Sequence, residues 1–427
     1  MEPECWFIGV VAFALAEFVW EQYLSLRQHL RFSSRVLPSE LDGVVKEEDF
    51  TRSQEYNAAK SRLGFVEAAF GAVVSVVILF GGISAVWRYS GDILECFGFL
   101  GTGETMQSLV FAGLNLLLST SLDLPFSVYR AFVLEERFGF NKQTPGLFVK
   151  DQILGLVLSC VIGGPLLAVV VQLVRWGGPS FWIYLCIFMA VFQLVLVQLY
   201  PTLIAPLFNT FTDLQEGELR TALEELAARV KFPLSKVFVV DGSTRSAHSN
   251  AYFYGFFGNK RIVIYDTLLE QVEPSGVEAI VGHELGHYSG NHNAKNFVLA
   301  QVQSAAFFYC FGLCINDEAL YAAFGFDQQP VLIGLFLFSM VYGPVGHILS
   351  LFNNFLSRAF EYEADRFAVE LGYDLTAPLA AIHASNASNL SPDPLFSAYH
   401  FSHPTLVERI AAMRAHKELV ASKTKRD

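Results

Sequence analysis

Seven apolar segments of membrane-spanning length constrain this chain more than any other feature of its sequence. A helix needs about 20 consecutive apolar residues to cross the hydrocarbon core of a bilayer. The segments that meet this requirement are 6–26, 64–87, 106–128, 153–174, 181–199, 298–315 and 331–352. Only 16% of the 427 residues are charged, whereas a typical soluble domain carries about 25%. The sequence therefore predicts a mainly α-helical, multi-pass membrane protein.

The basic residues of the short connections predict the orientation of these spans. The connections 27–63 and 129–150 contain seven and four Lys or Arg residues, whereas 88–105 and 175–180 contain one each. Because cytoplasmic loops are enriched in Lys and Arg, the N-terminus is expected in the lumen and the C-terminus in the cytoplasm. The net charge of −12 argues against a nucleic-acid partner, since a nucleic-acid-binding protein presents a basic face.

The spans divide the chain into four expected regions. Residues 1–200 hold five spans, 201–297 form a cytoplasmic-side segment, 298–357 hold two spans, and 358–427 form a helix and the tail. Within the second region, the β-branched and aromatic runs 236–240 and 261–265 predict strands, and 275–293 predicts a helix. A further helix is expected over 358–371. A small sheet is therefore expected immediately before the helix that begins at 275.

That helix contains the pattern His-Glu-x-x-His within AIVGHELGHYSGNH, residues 279–292. His283 and His287 lie one turn apart on the same helix face, a spacing that suits two nitrogen ligands of a tetrahedral zinc ion. Glu284 is rotated by about 100° around the axis, so it points toward a water molecule beside the metal and is the natural general base. Without a metal, the two histidines would be ordinary hydrogen-bonded groups on a helix surface.

A catalytic zinc site requires a third protein ligand and one open position. The segment 356–372, LSRAFEYEADRFAVELG, offers Glu361, Glu363 and Asp365 on one predicted helix. Glu361 and Asp365 share a helix face, so one carboxylate can bind zinc while the other accepts a hydrogen bond from a ligand histidine. The spacing alone leaves open whether Glu361 or Glu363 is the ligand, and an acidic solvated face is the alternative.

HELGH at 283–287 and EYEAD at 361–365 resemble the integral-membrane zinc endopeptidases, and among these the eukaryotic type I CAAX prenyl proteases, the a-factor-converting family. The resemblance extends over the whole chain. It includes LEERFGFNKQT (134–144), YPTLIAPLFN (200–209), RSAHSNAYFYG (245–255), KRIVIYDTLL (260–269) and HPTLVER (403–409).

The resemblance implies seven spans around a large water-filled chamber, with a zincin-like peptidase domain and its small sheet at the cytoplasmic end. It also implies one zinc ion per chain, Glu361 as the third ligand, Asp365 as its hydrogen-bonding support, and Glu363 at a variable position. Polar residues within spans, such as Glu17, Gln301 and His347, agree with a wet interior. Hydrogen bonds between packed helices would explain each of them equally well.

Substrate-binding residues are expected in two further segments. Zinc peptidases commonly hold an extended substrate against a sheet edge, and 248–254 is the candidate edge strand, with His248 and Asn250 as candidate contacts. These residues would otherwise serve only the sheet. By resemblance, His403 would donate to the developing oxyanion, and Arg409 would pair with a substrate carboxylate or support Glu361 and Asp365. A helix-capping role for the segment around His403 is the alternative.

The expected function is hydrolysis of a peptide bond by water that zinc activates. The resemblance implies that prenylated proteins ending in C-a-a-X lose their last three residues, and that lipid contacts the enzyme. A monomer is expected in the endoplasmic reticulum membrane, with the inner nuclear membrane as a further location, and the terminal KTKRD resembles a retrieval signal. The alternatives are a heat-shock-type quality-control metallopeptidase, which would have fewer spans, and a seven-span transporter or receptor with a structural zinc.

Overall fold

The first half of the protein consists of five long helices. The computed structural model describes residues 2–99, 103–255 and 260–424. The helices are α1 (Pro3–Arg31), α2 (Glu47–Cys96), α3 (Glu104–Glu135), α4 (Pro145–Trp176) and α5 (Gly178–Phe208), and each contains one predicted span. Helix α2 is interrupted at Ile78–Gly82, where Gly81 has a φ of 118°, a conformation that glycine adopts without steric cost.

A four-stranded sheet and three helices follow the fifth span. Their order is β1 (Phe211–Asp213), α6 (Glu218–Arg229), β2 (Leu234–Val240), β3 (Ala251–Tyr254), β4 (Lys260–Tyr265), α7 (Asp266–Gln271) and α8 (Pro274–Ser289). The strand order is β1-β2-β4-β3, with β2 and β4 parallel and the other pairs antiparallel. The sheet packs on α6 and α8 through a core that includes Leu223, Ile262, Ile264, Val277 and Val281. This arrangement leaves β3 at an edge.

The remaining helices complete the membrane region and the tail. They are α9 (His292–Cys314), α10 (Glu318–Ala322), α11 (Val331–Glu370), α12 (Thr376–Ser385), α13 (Pro394–His400) and α14 (Leu406–Thr424). Helices α9 and α11 contain the sixth and seventh predicted spans, so seven helices in the described part of the chain are suited to cross a membrane.

Two helix boundaries differ from the sequence-based expectation. The helix expected over 275–293 ends at Ser289, because Asn291 adopts the left-handed conformation with a φ of 52° and α9 starts in a new direction. The separate helix expected over 358–371 is instead the end of α11, which runs for 40 residues from the membrane into the site. No glycine or proline lies between residues 347 and 371 to end it.

The spanning helices are packed sparsely against one another. In the most apolar part of each span, between 0% and 28% of the residues are buried. Polar side chains within the spans bond across helices: Gln301 donates to Gln193 at 2.8 Å, and Nε2 of His347 lies 3.1 Å from Oε1 of Glu17. These pairs agree with the alternative explanation of the polar residues in the spans, namely hydrogen bonds between packed helices. The sparse packing, rather than the polar residues, favours an open interior, and the predicted helical membrane fold with a small sheet is confirmed.

Candidate active site

Helices α8 and α11 approach each other closely at Gly286, the glycine of HELGH. Helix α8 starts with Pro274, which is favoured at the first helical position, and buries Val277 and Leu285 in the core below the sheet. A side-chain carbon at position 286 would lie 2.7 Å from Cα of Ala364 on α11. Glycine therefore permits the contact that brings the histidines of α8 beside the carboxylates of α11.

Gly286→Ala is expected to push α11 away from α8. Overpacking of this kind costs about 1–3 kcal/mol of stability, and the displacement would separate Glu361 from the histidines. Bound metal and peptidase activity, measured on the purified protein, are both expected to fall. Gly64→Ala is the matched control because a side-chain carbon at position 64 of α2 meets nothing within 4 Å. Unchanged metal content and activity in Gly286→Ala would contradict this account.

Three side chains form a triangle with the dimensions of a tetrahedral zinc site. The Nε2 atoms of His283 and His287 lie 3.3 Å apart. The carboxylate of Glu361 faces both, with Oε2 at 3.4 Å from Nε2 of His283 and Oε1 at 3.2 Å from Nε2 of His287. A tetrahedron with metal–ligand bonds of about 2.0–2.1 Å has edges of about 3.3–3.4 Å. The donor set therefore fits zinc, and among the described residues this is the one group of three or more such ligands.

The outer nitrogen of each histidine has its own partner. Nδ1 of His283 lies 2.9 Å from Oδ1 of Asp365, and Nδ1 of His287 lies 2.9 Å from Nδ1 of His292. Such contacts set the tautomer and the ring orientation of a ligand histidine. The spacing of five residues after His287 turns His292 away from the metal-facing side of the helix, and the left-handed turn before α9 places its ring behind His287, as expected of a supporting residue.

The structure distinguishes the two candidate glutamates of α11. Glu361 is 4% exposed and contacts both histidines of α8. The side chain of Glu363 is 47% exposed, and its Oε2 lies 3.0 Å from Nε2 of His292. Glu361 is thus the carboxylate placed to hold a metal, while Glu363 lies behind the histidine that supports His287.

Arg409 is buried behind the metal-binding triangle. Its Nε and Nη2 donate to the two carboxylate oxygens of Asp365 at 2.9 and 2.6 Å, and its Nη1 lies 3.7 Å from Oε2 of Glu361. Of the two roles expected for Arg409, this geometry favours support of the carboxylates, because a paired and buried guanidinium is not free to bind a substrate carboxylate.

The charge of His283 depends on these carboxylates. Burial and Arg409 lower the pKa of His283, but hydrogen bonds to Asp365 and Glu361 outweigh both and raise it to about 9. In the metal-free protein, the imidazole of His283 therefore holds a proton on both ring nitrogens at neutral pH and is positively charged. Metal binding must displace this proton, because a ligand histidine coordinates in its neutral form.

A cavity of about 360 Å³ opens in front of the triangle. Its lining residues come from the edge strand, α8, α11, α12 and the tail, and they include Asn250, Glu284, His383, His403 and Arg409. Glu284 accepts no hydrogen bond from any described residue, and burial raises its pKa above the ordinary glutamate value. A carboxylate with a raised pKa in a cavity has the character of a general base.

Asn250 and His248 occupy different environments. Asn250 lines the cavity beside β3 and is exposed. The ring of His248 instead stacks on Phe140 at 4.6 Å, and its Nε2 lies 3.7 Å from Oε2 of Glu135. Stacking holds the ring against the segment after α3, outside the cavity lining, and the expected contact of His248 with substrate stays a prediction.

Two histidines from the C-terminal region face the cavity. His403 is the exposed one, and its Nε2 lies 3.3 Å from Oε1 of Glu361. His383 was not expected at the site, and no spacing in the sequence indicated it. Nδ1 of His383 donates to the carbonyl of Leu379 at 2.8 Å, and burial lowers its pKa to about 4. It is therefore a neutral group on the apolar wall formed by Leu375, Leu379 and Ile382.

Comparisons with known proteins match nearly the whole length of this chain. A family model described as "CAAX prenyl protease N-terminal, five membrane helices" matches residues 27–210, and the model of peptidase family M48 matches residues 213–417. The crystal structure of S. mikatae Ste24p has a TM-score of 0.89 and 36% sequence identity, covering 96% of this chain and 98% of that chain.

Curated relatives agree with the family models. The CAAX prenyl protease 1 homolog of Arabidopsis thaliana is 46% identical, over 95% of this chain and 96% of the relative. The Homo sapiens homolog is 39% identical over 96% of both chains, and CAAX prenyl protease 1 of Saccharomyces cerevisiae is 36% identical over 96% of this chain and 95% of the relative. The chain belongs to the CAAX prenyl protease 1 family of M48 metallopeptidases.

Proposed function

We propose that this protein is a zinc-dependent membrane endopeptidase that removes the last three residues from proteins whose C-a-a-X cysteine is prenylated. The observation that carries the proposal is the triangle of His283, His287 and Glu361, which has the edge lengths of a tetrahedral zinc site and lies beside the free carboxylate of Glu284. Membership of the CAAX prenyl protease 1 family supports the substrate class.

Glu284 performs the proton transfers in this proposal. His283, His287 and Glu361 would hold the zinc ion, which when bound would lower the pKa of a water molecule and polarise the scissile carbonyl. The Glu284 carboxylate accepts the proton of the attacking water and passes it to the leaving amine. His403 donates to the oxyanion as it develops, and Asp365 and Arg409 hold His283 and Glu361 in place.

The substrate backbone lies along the free side of β3 in this proposal. Among the described strands, β3 lies at the edge of the sheet and pairs with β4, and the adjacent Asn250 lines the cavity, so its amide can bond to an extended peptide. Asn250→Ala is expected to raise KM by about 5- to 30-fold, with a smaller decrease in kcat, since about 1–2 kcal/mol is lost with one such hydrogen bond. Steady-state kinetics will measure both constants; Ser235→Ala, on β2, is the control. An unchanged KM would contradict this role.

The remaining features of the proposal concern the setting of the enzyme. We keep the proposed division of the chain into four functional regions, residues 1–200, 201–297, 298–357 and 358–427. The last two are joined by one continuous helix, α11. The basic connections support a cytoplasmic active site in the endoplasmic reticulum membrane, and a monomer in contact with membrane lipid suffices for every group named above. Part of the KTKRD signal, residues 425–427, lies outside the described residues.

Two peptides and one unfolded membrane protein, used as substrates, test the proposal. The purified protein is expected to cleave a farnesylated C-a-a-X peptide, to cleave its non-prenylated counterpart much more slowly, and to release the terminal tripeptide, identified by mass spectrometry. A quality-control peptidase would instead cleave an unfolded membrane protein with no preference for the prenyl group. A structural zinc site would support no cleavage. Either result would refute the proposed function.

A further inference from the structure

A basic cavity lies at the end of the helical bundle where α1 ends and α2 begins. It has a volume of about 460 Å³, and Arg35, Arg62 and Arg137 contribute to its lining together with one carboxylate, Glu55. It shares no lining residue with the cavity in front of the metal-binding triangle. Three guanidinium groups against one carboxylate give this cavity an excess positive charge, so its natural occupant is an anion.

The guanidinium groups are not neutralised by the surrounding protein. Arg62 and Arg137 are exposed and make no ion pair with any described residue. The guanidinium carbon of Arg137 lies 5.4 Å from the centroid of the Phe138 ring, a contact that leaves its charge in place. The Arg35–Glu55 pair is a surface contact of 4.0 Å between two exposed side chains, which contributes little binding energy. The donors of the three arginines are therefore available to a ligand.

An apolar groove continues from this basic cavity into the membrane. The groove has a volume of about 510 Å³ and lies between α2 and α3, where Leu63, Val66 and Phe126 contribute to its walls. Arg62 and Arg137 line both the groove and the basic cavity. The two spaces thus meet at these arginines.

The directions of α2 and α3 determine which residues of the basic cavity and the apolar groove lie deeper in the membrane. Helix α2 enters its apolar span after Arg62, so Val66 lies about 6 Å deeper than Arg62 at 1.5 Å per residue. Helix α3 leaves the membrane in the opposite sense, from Phe126 toward Arg137. Both helices therefore place apolar residues within the bilayer and arginines at its surface, which is the polarity of a phospholipid with its chain inside and its headgroup outside.

We propose that the basic cavity and the apolar groove together bind one anionic phospholipid of the surrounding membrane. The phosphate and the headgroup anion contact Arg35, Arg62 and Arg137, and an acyl chain follows the groove between α2 and α3. A zwitterionic lipid would leave the excess positive charge unbalanced, and basic pockets between spanning helices commonly hold anionic headgroups. A free phosphate would leave the groove unfilled, and a polybasic peptide would be repelled by the arginines.

Native mass spectrometry of the delipidated full-length protein in detergent will test this site. The probes are dioleoyl phosphatidylserine, dioleoyl phosphatidylcholine and inorganic phosphate. Phosphatidylserine is expected to bind at least about 10-fold more tightly than phosphatidylcholine, because the three arginines attract an anionic headgroup and a zwitterionic one leaves their charge unbalanced. Inorganic phosphate at the same concentration is expected not to displace it. Equal affinity for the two lipids, or displacement by phosphate, would overturn the proposal.

Substitution separates this site from general charge attraction. The double variant Arg62→Ala with Arg137→Ala is expected to lose most of the preference for phosphatidylserine, and the corresponding double lysine variant is expected to keep it. The control, Arg88→Ala with Arg414→Ala, removes the same charge from two exposed positions outside both spaces. Equal losses in the two alanine pairs, or no loss in the first, would overturn the assignment.

The variant Val66→Trp tests the apolar groove, because the larger side chain fills it. It is expected to weaken phosphatidylserine binding with all arginines retained. Unchanged binding would exclude the groove as the site of the acyl chain.

Discussion

Glu284→Gln is expected to reduce kcat for the prenylated peptide by about 10²- to 10⁴-fold, the range that a positioned general base contributes. The amide keeps the size of the side chain but cannot accept a proton from water. KM and the metal content are expected to change little, because Glu284 lines the cavity without contacting the three metal-binding side chains through a hydrogen bond. Tripeptide release and metal content are measured on the same preparation.

The control for this substitution is Glu270→Gln, which makes the same chemical change at an exposed position of α7. It is expected to retain full activity. If the metal-loaded Glu284→Gln protein cleaved the peptide at the rate of the unsubstituted protein, Glu284 would not be the general base. If it lost its metal, the rate could not be assigned to proton transfer, and Glu284 would be assigned to metal retention instead.

Glu361→Gln is expected to remove both metal and activity. The substitution replaces an anionic ligand with a neutral amide at the buried corner of the triangle, so the loss of metal affinity should exceed the 10- to 100-fold typical of a supporting residue. Asp365→Asn is expected to fall within that smaller range, because Asp365 bonds to Nδ1 of His283 rather than lying beside the metal-facing Nε2 atoms. Zinc competition titrations compare the two variants.

The chain itself offers the matched control, two residues away. Glu363→Gln makes the same substitution on the same helix, but the Glu363 side chain is half exposed and its Oε2 lies beside Nε2 of the supporting His292 rather than beside His283 or His287. It is expected to keep its metal and most of its activity. Loss of metal in Glu363→Gln with retention in Glu361→Gln would reverse the assignment of the third ligand.

The membrane fold was predictable because hydropathy is a local property of the chain. Each of the seven apolar segments lies within one of the seven long helices. The strands predicted over 236–240 and 261–265 are β2 and β4, and the candidate edge strand 248–254 contains β3, which starts at Ala251. Helix ends were less predictable. Asn291 ends α8 through a left-handed turn, and α11 continues beyond the membrane because no glycine or proline lies between residues 347 and 371. Both outcomes depend on packing that hydropathy does not describe.

Within the site, short-range patterns predicted more than long-range contacts. The histidine spacing on α8 is local, and the structure brings His283 and His287 together as expected. Spacing on α11 could not separate Glu361 from Glu363, since only the position of α8 decides which side chain faces it. His383 is brought to the cavity by the fold of the tail and has no motif, and His248 is drawn away by the ring of Phe140.

The most direct test of the central claim is a zinc titration of the metal-free enzyme, with release of the C-terminal tripeptide from a farnesylated C-a-a-X peptide as the readout. The account predicts no release before zinc is added, and activity that rises until one zinc ion is bound per chain and then stays constant. The Glu361→Gln protein should remain inactive at the same zinc concentration. Tripeptide release by the metal-free protein, or full activity of Glu361→Gln without bound zinc, would contradict it.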